Sequence, residues 1–498
     1  MISARISRAI VALASVTFAG LALAIWSAPE AAAQRLGLEA VGVAGAIAVR
    51  AEIGGLFAGM AILSAAAAWT AARAWILAEA SLLGAIAVGR LVGWGEVGVG
   101  SVPELIVELG LLAALIRLAR SATGGVGPTA AGRRSWRPVA VTAAVLAVPA
   151  AGAAALMTPG VQQRVFDRAA AARAATVNTA PLADDALRVA VCGSSAPLPS
   201  AARAKACVAV FAGGKFWIVD VGPESVENLV LWGLPLQDIG GVLLTHFHSD
   251  HIGDLGELNL QTWAGGRPAP LAVYGGPGVE RVVAGFNDAY RLDQGYRTAH
   301  HTARVMPPDT WPMVAQPIEL DGAETPAKDR SALVLDRDGL RITAFEVDHA
   351  PIAPAYAYRF DYKGRSVLVT GDLKNHPPLV KAAVGVDVMV SEAIALSMTR
   401  ALGRGANDAG RDRTAAIMHD IEDYHITPEQ AARVANDAGV QLLVFYHLLP
   451  APDGLLPRRV FAQGLDAVRR DGWAIADDGS LYTLPFGSKA VHIGTIGE

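Results

Sequence analysis

Histidine is absent before His246, and all 11 histidines of this 498-residue chain lie at or beyond that position. The front half therefore holds no imidazole for metal binding or proton transfer. Charge is scarce too. Asp, Glu, Lys and Arg make up 18% of residues and the formal net charge is -4, which excludes nucleic-acid binding by bulk electrostatics. Cysteine occurs only as Cys192 and Cys207. What the chain has instead is apolar residues, 52% of the total, above a soluble average. A chain of this length is expected to hold more than one domain.

Five apolar runs precede residue 160, at roughly 10–27, 54–72, 75–92, 105–118 and 139–157. A spanning helix needs about 20 mainly apolar residues; most of the runs reach that, and the fourth is short. A soluble bundle of Ala-rich helices is the competing reading, but buried soluble helices seldom run so long without a polar face. Arg5 and Arg8 precede the first run, Arg73 separates the second from the third, and Arg117, Arg120, Arg133, Arg134 and Arg137 lie between the fourth and fifth. The positive-inside rule puts these three places in the cytoplasm, and five crossings put everything after Met157 on the periplasmic or outer side of an inner membrane. Arg35, Arg50 and Arg90 fall on outer loops. The first run reads alternatively as a signal peptide, with "APEAAAQ" suited to cleavage. Gly55-xxx-Gly59 would let two helices approach closely. Glu79 is either a functional intramembrane carboxylate or an interfacial, charge-paired one.

The pattern changes further on. Residues 1–158 read as a transmembrane helical region, 159–186 as a helical or flexible connector, and 187–498 as a folded domain. Short β-branched runs such as "LRVAVCG", "KFWIVDVG", "GVLLTH", "RSVLVTGD" and "QLLVFYH" read as strands, with helical stretches between them. Strands in this number with intervening helices indicate α/β sheets covered by helices. The two cysteines either pair in an oxidising compartment or stay free and buried.

The stretch "LLTHFHSDHIGDL" carries His246, His248, Asp250 and His251 on a loop behind a short buried strand. Imidazole nitrogen and carboxylate oxygen both suit Zn2+. Three more ligand types follow, each ending an apolar strand pattern: His349, Asp372 and His447. Three strand-terminal ligands after such a cluster are better read as one shared site than as separate loop residues.

This order of motifs resembles the metallo-β-lactamase superfamily, in its ribonuclease Z, phosphodiesterase and arylsulfatase-like branch, over about residues 187–485. "YHITPEQAARVANDAGVQLLVFYH" is similar to the last helix and strand of that branch. The resemblance implies an αββα sandwich and two zinc ions. His246, His248 and His349 would hold one, Asp250, His251 and His447 the other, and Asp372 would bridge them. Asp220 would orient a ligand histidine. Two such ions can clamp a hydroxide and stabilise the charge that builds on the attacked centre.

In two places the chain departs from the tRNA-processing members. Their His-Glu-Ala-Thr motif is replaced by "VSEAIAL", with Ser391 and Glu392, and their long insertion after the Tyr-Arg strand is missing. Both point away from a tRNA nuclease. Asp250, His425 and His419 are the candidate catalytic groups, with His300 and His301 behind them. The expectation is a membrane-anchored di-zinc hydrolase of phosphodiesters or sulfate esters, with a small-molecule ester as substrate, membrane lipid as partner and no nucleic acid. A lactone or β-lactam hydrolase, an iron oxidoreductase and a non-catalytic metal-binding sensor are the alternatives.

Overall fold

The computed structural model describes residues 4–27, 49–70, 159–175, 177–322 and 329–496, with isolated positions between 75 and 116. The chain divides into two compact units, Met1–Ala147 and Val148–Glu498. In the first, α1 (Ala4–Ser27) and α2 (Gly55–Thr70) lie antiparallel. Ser15 Oγ donates to Ala61 O at 2.8 Å, Trp26 Nε1 donates to Arg50 O at 3.0 Å, and Arg50 Nε donates back to Trp26 O at 2.9 Å. Ala9–Ser27 and Val49–Thr70 are each long and apolar enough to cross a membrane. Leu13, Val16, Leu23, Ile62 and Trp69 are exposed along them.

The glycine that admits the partner helix is Gly54, where a Cβ would meet Trp26 Nε1 at 2.5 Å. At Gly55 and Gly59 a Cβ would meet nothing within 4 Å among the described residues. Glu79 is buried and accepts a hydrogen bond from Ser64. The apolar runs at 75–92 and 105–118 fall largely, and that at 139–157 wholly, outside the described residues.

The second unit opens with α3 (Pro159–Ala175), which covers much of the expected connector. Its first sheet holds β1 (Ala186–Gly193), β2 (Cys207–Ala212), β3 (Lys215–Val219), β4 (Ile239–Leu243), β5 (Leu271–Gly275) and β6 (Met313–Pro317). The second holds β7 (Ser331–Arg337), β8 (Leu340–Glu346), β9 (Tyr356–Tyr362), β10 (Arg365–Val369), β11 (Val388–Ile394), β12 (Leu442–Leu449) and β13 (Trp473–Ile475). The chain then returns to the first sheet through β14 (Ser480–Pro485) and β15 (His492–Thr495), giving the orders β15-β14-β1-β2-β3-β4-β5-β6 and β13-β12-β11-β10-β9-β8-β7.

Side chains two apart share a face of a strand. Tyr356, Tyr358, Phe360 and Tyr362 of β9 therefore meet Leu187, Val189 and Val191 of β1 in the core between the sheets. The outer face of the first sheet is covered by α4 (Ser225–Leu231), α5 (Leu255–Ala264) and α6 (Val279–Ala289) through Val226, Leu229, Leu258 and Val283. On the second sheet, Leu443 and Phe445 pack against Ala431, Ala432 and Ala435 of α10 (Pro428–Asp437). Before α10 come α7 (Arg291–His301), α8 (Leu396–Asp408) and α9 (Asp412–Asp420). Two sheets clad in helices are the α/β sandwich expected. Cys192 and Cys207 are joined by a disulfide, with Cα atoms 4.9 Å apart, buried under the helices of the first sheet.

Candidate metal centre

Most of the side chains singled out from the sequence follow strand ends at one rim; His447, expected to end its strand, instead sits within one. Asp220, one residue past β3, adopts φ 57° and accepts hydrogen bonds from Thr245 N and Thr245 Oγ1, both at 2.8 Å. Its Oδ2 also lies 2.8 Å from His251 Nδ1. One carboxylate thus shapes the turn after β4 and, by taking the Nδ1 proton, leaves His251 Nε2 free for the centre. His349 is set the same way, its Nδ1 donating to Tyr424 O at 2.9 Å. Asp372 follows Gly371, at φ 61°, where a Cβ would meet Thr245 Cβ at 2.7 Å; only glycine lets these two strand ends come so close.

His447 lies inside β12. The pairing of β11 with β12 slips between Ser391↔Phe445 and Ala393↔Leu448, which leaves an extra residue on β12. His447 takes φ 41° there, a left-handed conformation that re-aims its side chain toward the rim.

These devices bring together His246, His248, His349 and Asp372 as one group, Asp250, His251 and His447 as another, and Asp372, His425 and His447 as a third; in each, candidate ligand atoms lie within 4.8 Å of one another. Asp372 Oδ2 is 3.4 Å from His251 Nε2, 3.4 Å from His447 Nε2 and 3.9 Å from His349 Nε2, between the first two groups. His447 Nε2 lies 3.2 Å from Asp250 Oδ2. His246 Nε2, His251 Nε2, His349 Nε2 and Asp372 Oδ1 are buried without a hydrogen-bond partner. Leaving that many buried polar atoms unsatisfied is costly, and cations seated among them would satisfy them together. The donor set of imidazoles and carboxylates fits zinc.

Burial pushes His246 and His248 below the usual histidine range, and His349 to about 4. Burial would lower His251 too, but Asp372, Asp220 and Asp250 together raise it well above that range. Burial opposes ionisation of Asp372, yet His447 and His251 hold it well below the ordinary carboxylate value.

Beside Asp372 stands a pair that the sequence did not reveal. Glu392 is fully buried, and both its oxygens lie 2.9 Å from His425 Nδ1. Leu373 N donates to Glu392 Oε1 at 2.9 Å. Burial alone would lower His425, but Glu392 outweighs it and raises the imidazole above the usual range. A capping box of Thr427 and Gln430, with Pro428 in the first turn, starts α10 just after His425 and fixes its backbone. His419 is exposed on α9, and His300 and His301 are exposed at the end of α7; none of the three belongs to these groups.

A model of the Beta-lactamase superfamily domain matches residues 218–448. Ribonuclease Z of Mycobacterium avium (strain 104) is 34% identical over 268 residues, 53% of this chain and 87% of that protein. The chain belongs to the metallo-β-lactamase superfamily. Ribonuclease Z of Mycolicibacterium gilvum (strain PYR-GCK) is 32% identical over 267 residues, covering 53% of this chain and 85% of that protein. Human tRNase Z, short form, is 20% identical, with 60% of this chain and 99% of that chain covered at a TM-score of 0.42. The protein is a hydrolase of the superfamily, whose fold commonly binds zinc.

The ribonuclease Z relatives overturn one expectation, that of a small-molecule ester substrate with no nucleic acid. That expectation leaned on the missing histidine at Ser391. In the fold a different imidazole, His425, stands on the carboxylate next to that position, so Ser391 says nothing about the loss of a proton donor. Net charge was no better a guide: residues 187–498 carry 28 Lys and Arg against 36 Asp and Glu, and bulk charge does not report on what a local metal-centred site acts on.

Proposed function

We propose that this protein is a zinc-dependent hydrolase of RNA phosphodiester bonds, anchored in a membrane by its N-terminal helices. The observation that carries this reading is the meeting of the two histidine–carboxylate groups around Asp372, with the Glu392–His425 pair alongside, in a chain similar to ribonucleases Z. His246, His248 and His349 would hold one zinc ion, Asp250, His251 and His447 the second, and Asp372 would touch both. When bound, such ions supply Lewis acidity to the phosphoryl oxygens and lower the pKa of water to about 7. Asp220 and the Tyr424 carbonyl hold His251 and His349 in the tautomer that turns Nε2 to the centre. His425, kept protonated by Glu392, delivers a proton from Nε2 to the departing ribose oxygen. Glu392 orients the imidazole and steadies its charge.

The membrane reading rests on the α1–α2 hairpin. Its antiparallel packing sets the Arg5 and Arg8 end of α1 beside the end of α2 that leads to Arg73, as the positive-inside rule requires of a cytoplasmic face. A buried disulfide in the hydrolase domain favours an oxidising compartment for that domain. Protease added to intact spheroplasts should digest the region after residue 187; complete protection there rejects the outward orientation.

The activity is tested on the purified full-length protein with a fluorescent RNA oligonucleotide. We expect cleavage that chelation abolishes. Asp372→Ala should lower kcat/KM by on the order of 10³-fold, because it removes a ligand shared by metals worth several kcal/mol to the transition state. A zinc-replete protein that leaves RNA intact rules the reading out.

A further inference from the structure

Both flanks of the Cys192–Cys207 disulfide lead to the same group of candidate ligands. Next to Cys207, Ala206 O accepts from Gly222 N at 2.9 Å, and the neighbouring Val221 N donates to His251 O at 2.7 Å. A Cβ on Gly222 would collide with the carbonyl oxygen of Asp250, so this segment lies directly against the ligand loop. On the other flank, two residues from Cys192, Ser194 O accepts from Leu448 N at 2.9 Å, and Leu448 follows His447. The intervening loop, 193–206, is therefore wedged between the Asp250–His251 turn and the His447 bulge.

Asp478 ties the two arms of this loop together. Its Oδ1 accepts from Ser194 N at 2.9 Å and Ser194 Oγ at 2.6 Å, and its Oδ2 from Ala204 N at 2.7 Å. Arg203 adds hydrogen bonds from Nη1 to Ser194 Oγ at 2.8 Å and Ala476 O at 2.7 Å. The loop's link to the other group is looser: Ala196 and Leu198 pack in an apolar cluster with Tyr424, whose carbonyl holds His349.

We propose that the disulfide is a positioning clamp for the cation held by Asp250, His251 and His447, with little influence on the one held by His246, His248 and His349. His447 sits in a conformation that only its surroundings can maintain, and the wedge supplies part of those surroundings. Closing the base of the wedge covalently limits how far the His447 bulge and the His251 turn can drift apart. The inference rests on the metal reading given under the proposed function.

The test is stepwise Zn2+ and Co2+ titration of the full-length protein and of its Cys192→Ala/Cys207→Ala variant, followed by calorimetry and by the Co2+ absorption bands. The variant should bind one ion about 10–100-fold more weakly, the usual cost of disturbing what supports a ligand, and the other within about threefold of wild type. Asp478→Asn, which loosens the same loop with the disulfide intact, should show the same one-sided loss and serves if the double variant does not fold. Two unchanged affinities, or equal weakening of both ions, overturn the clamp alone. A wild-type protein that takes up no metal overturns the metal reading, and the clamp falls with it.

Discussion

The two groups of candidate ligands sit side by side and differ in charge. His246, His248 and His349 are imidazoles that burial keeps below their ordinary basicity. The other group contains the Asp250 carboxylate, and there the carboxylates of Asp372, Asp220 and Asp250 overcome burial to keep a proton on His251. A ligand must be deprotonated before it can bind a metal. The first group is thus neutral and ready near pH 7, whereas the second must release a proton first. Position along the chain does not create this difference, since His248 and His251 share one loop. Asp220 does, by standing behind one and not the other.

The greatest expected loss concerns His425, which the geometry gathers with Asp372 and His447 of the second group. If it is an acid and not a ligand, His425→Ala should lower kcat by about 10²–10⁴-fold, the usual worth of a positioned proton donor. Metal content should stay at the wild-type value; loss of an ion in this variant would make His425 a ligand and redraw the grouping. The pH profile gives the sign. An acid works only while protonated, so the rate is full below the His425 pKa and falls as pH rises through it. Glu392 raises that pKa, which sets the alkaline limb above the ordinary histidine range. Glu392→Gln should move the limb to lower pH.

A smaller effect separates the two groups directly. His251 is raised, so its proton competes with metal across neutral pH, and affinity at that group falls as pH drops. His349, at about 4, meets no such competition. Lowering pH from about 8 to about 6 should strip the second ion first, by roughly tenfold per unit for one displaced proton, as one pKa unit is 1.36 kcal/mol. Asp220→Asn relieves some of that proton competition but loosens the hold on the His251 ring and the Thr245 turn, and the loss of positioning should weaken that ion by about 10–100-fold. Zinc titrations at each pH check both outcomes; parallel loss of the two ions would erase the contrast.

Much of this was legible in the sequence because ligand chemistry restricts residue type so strongly. His246, His248, Asp250, His251, His349 and Asp372 follow the ends of apolar strand patterns, His447 interrupts one from inside β12, and the fold gathers all seven. Glu392 was not legible as a partner. It looks like the remnant of a departed motif, and nothing local shows that the chain goes out through α8 and α9 and returns with His425 against it. The pairing of Cys192 with Cys207 also depends on the β1–β2 register, which the residues themselves do not state. Among the strands, β6 and β7 are half-exposed, β13 is short and half-buried, and β15 is short and exposed, so neither alternation nor a continuous apolar run marks them.

The smallest expected effect tests the boundary of the site. His419 was a candidate proton donor because it stands close to His425 in the chain, in "IMHDIEDYH". In the fold α9 turns the imidazole to solvent, while Met418 beside it is buried against Ile394, Ile421 and Leu449. An exposed imidazole outside the ligand groups has no reach to the reacting centre. His419→Ala should therefore leave kcat/KM and both metal affinities within about twofold of wild type, as surface substitutions away from such features seldom exceed ±0.5 kcal/mol. A tenfold fall in kcat with metal retained would mean that α9 moves during turnover and brings His419 to the substrate, and the division between acid and ligands drawn around His425 would have to include it.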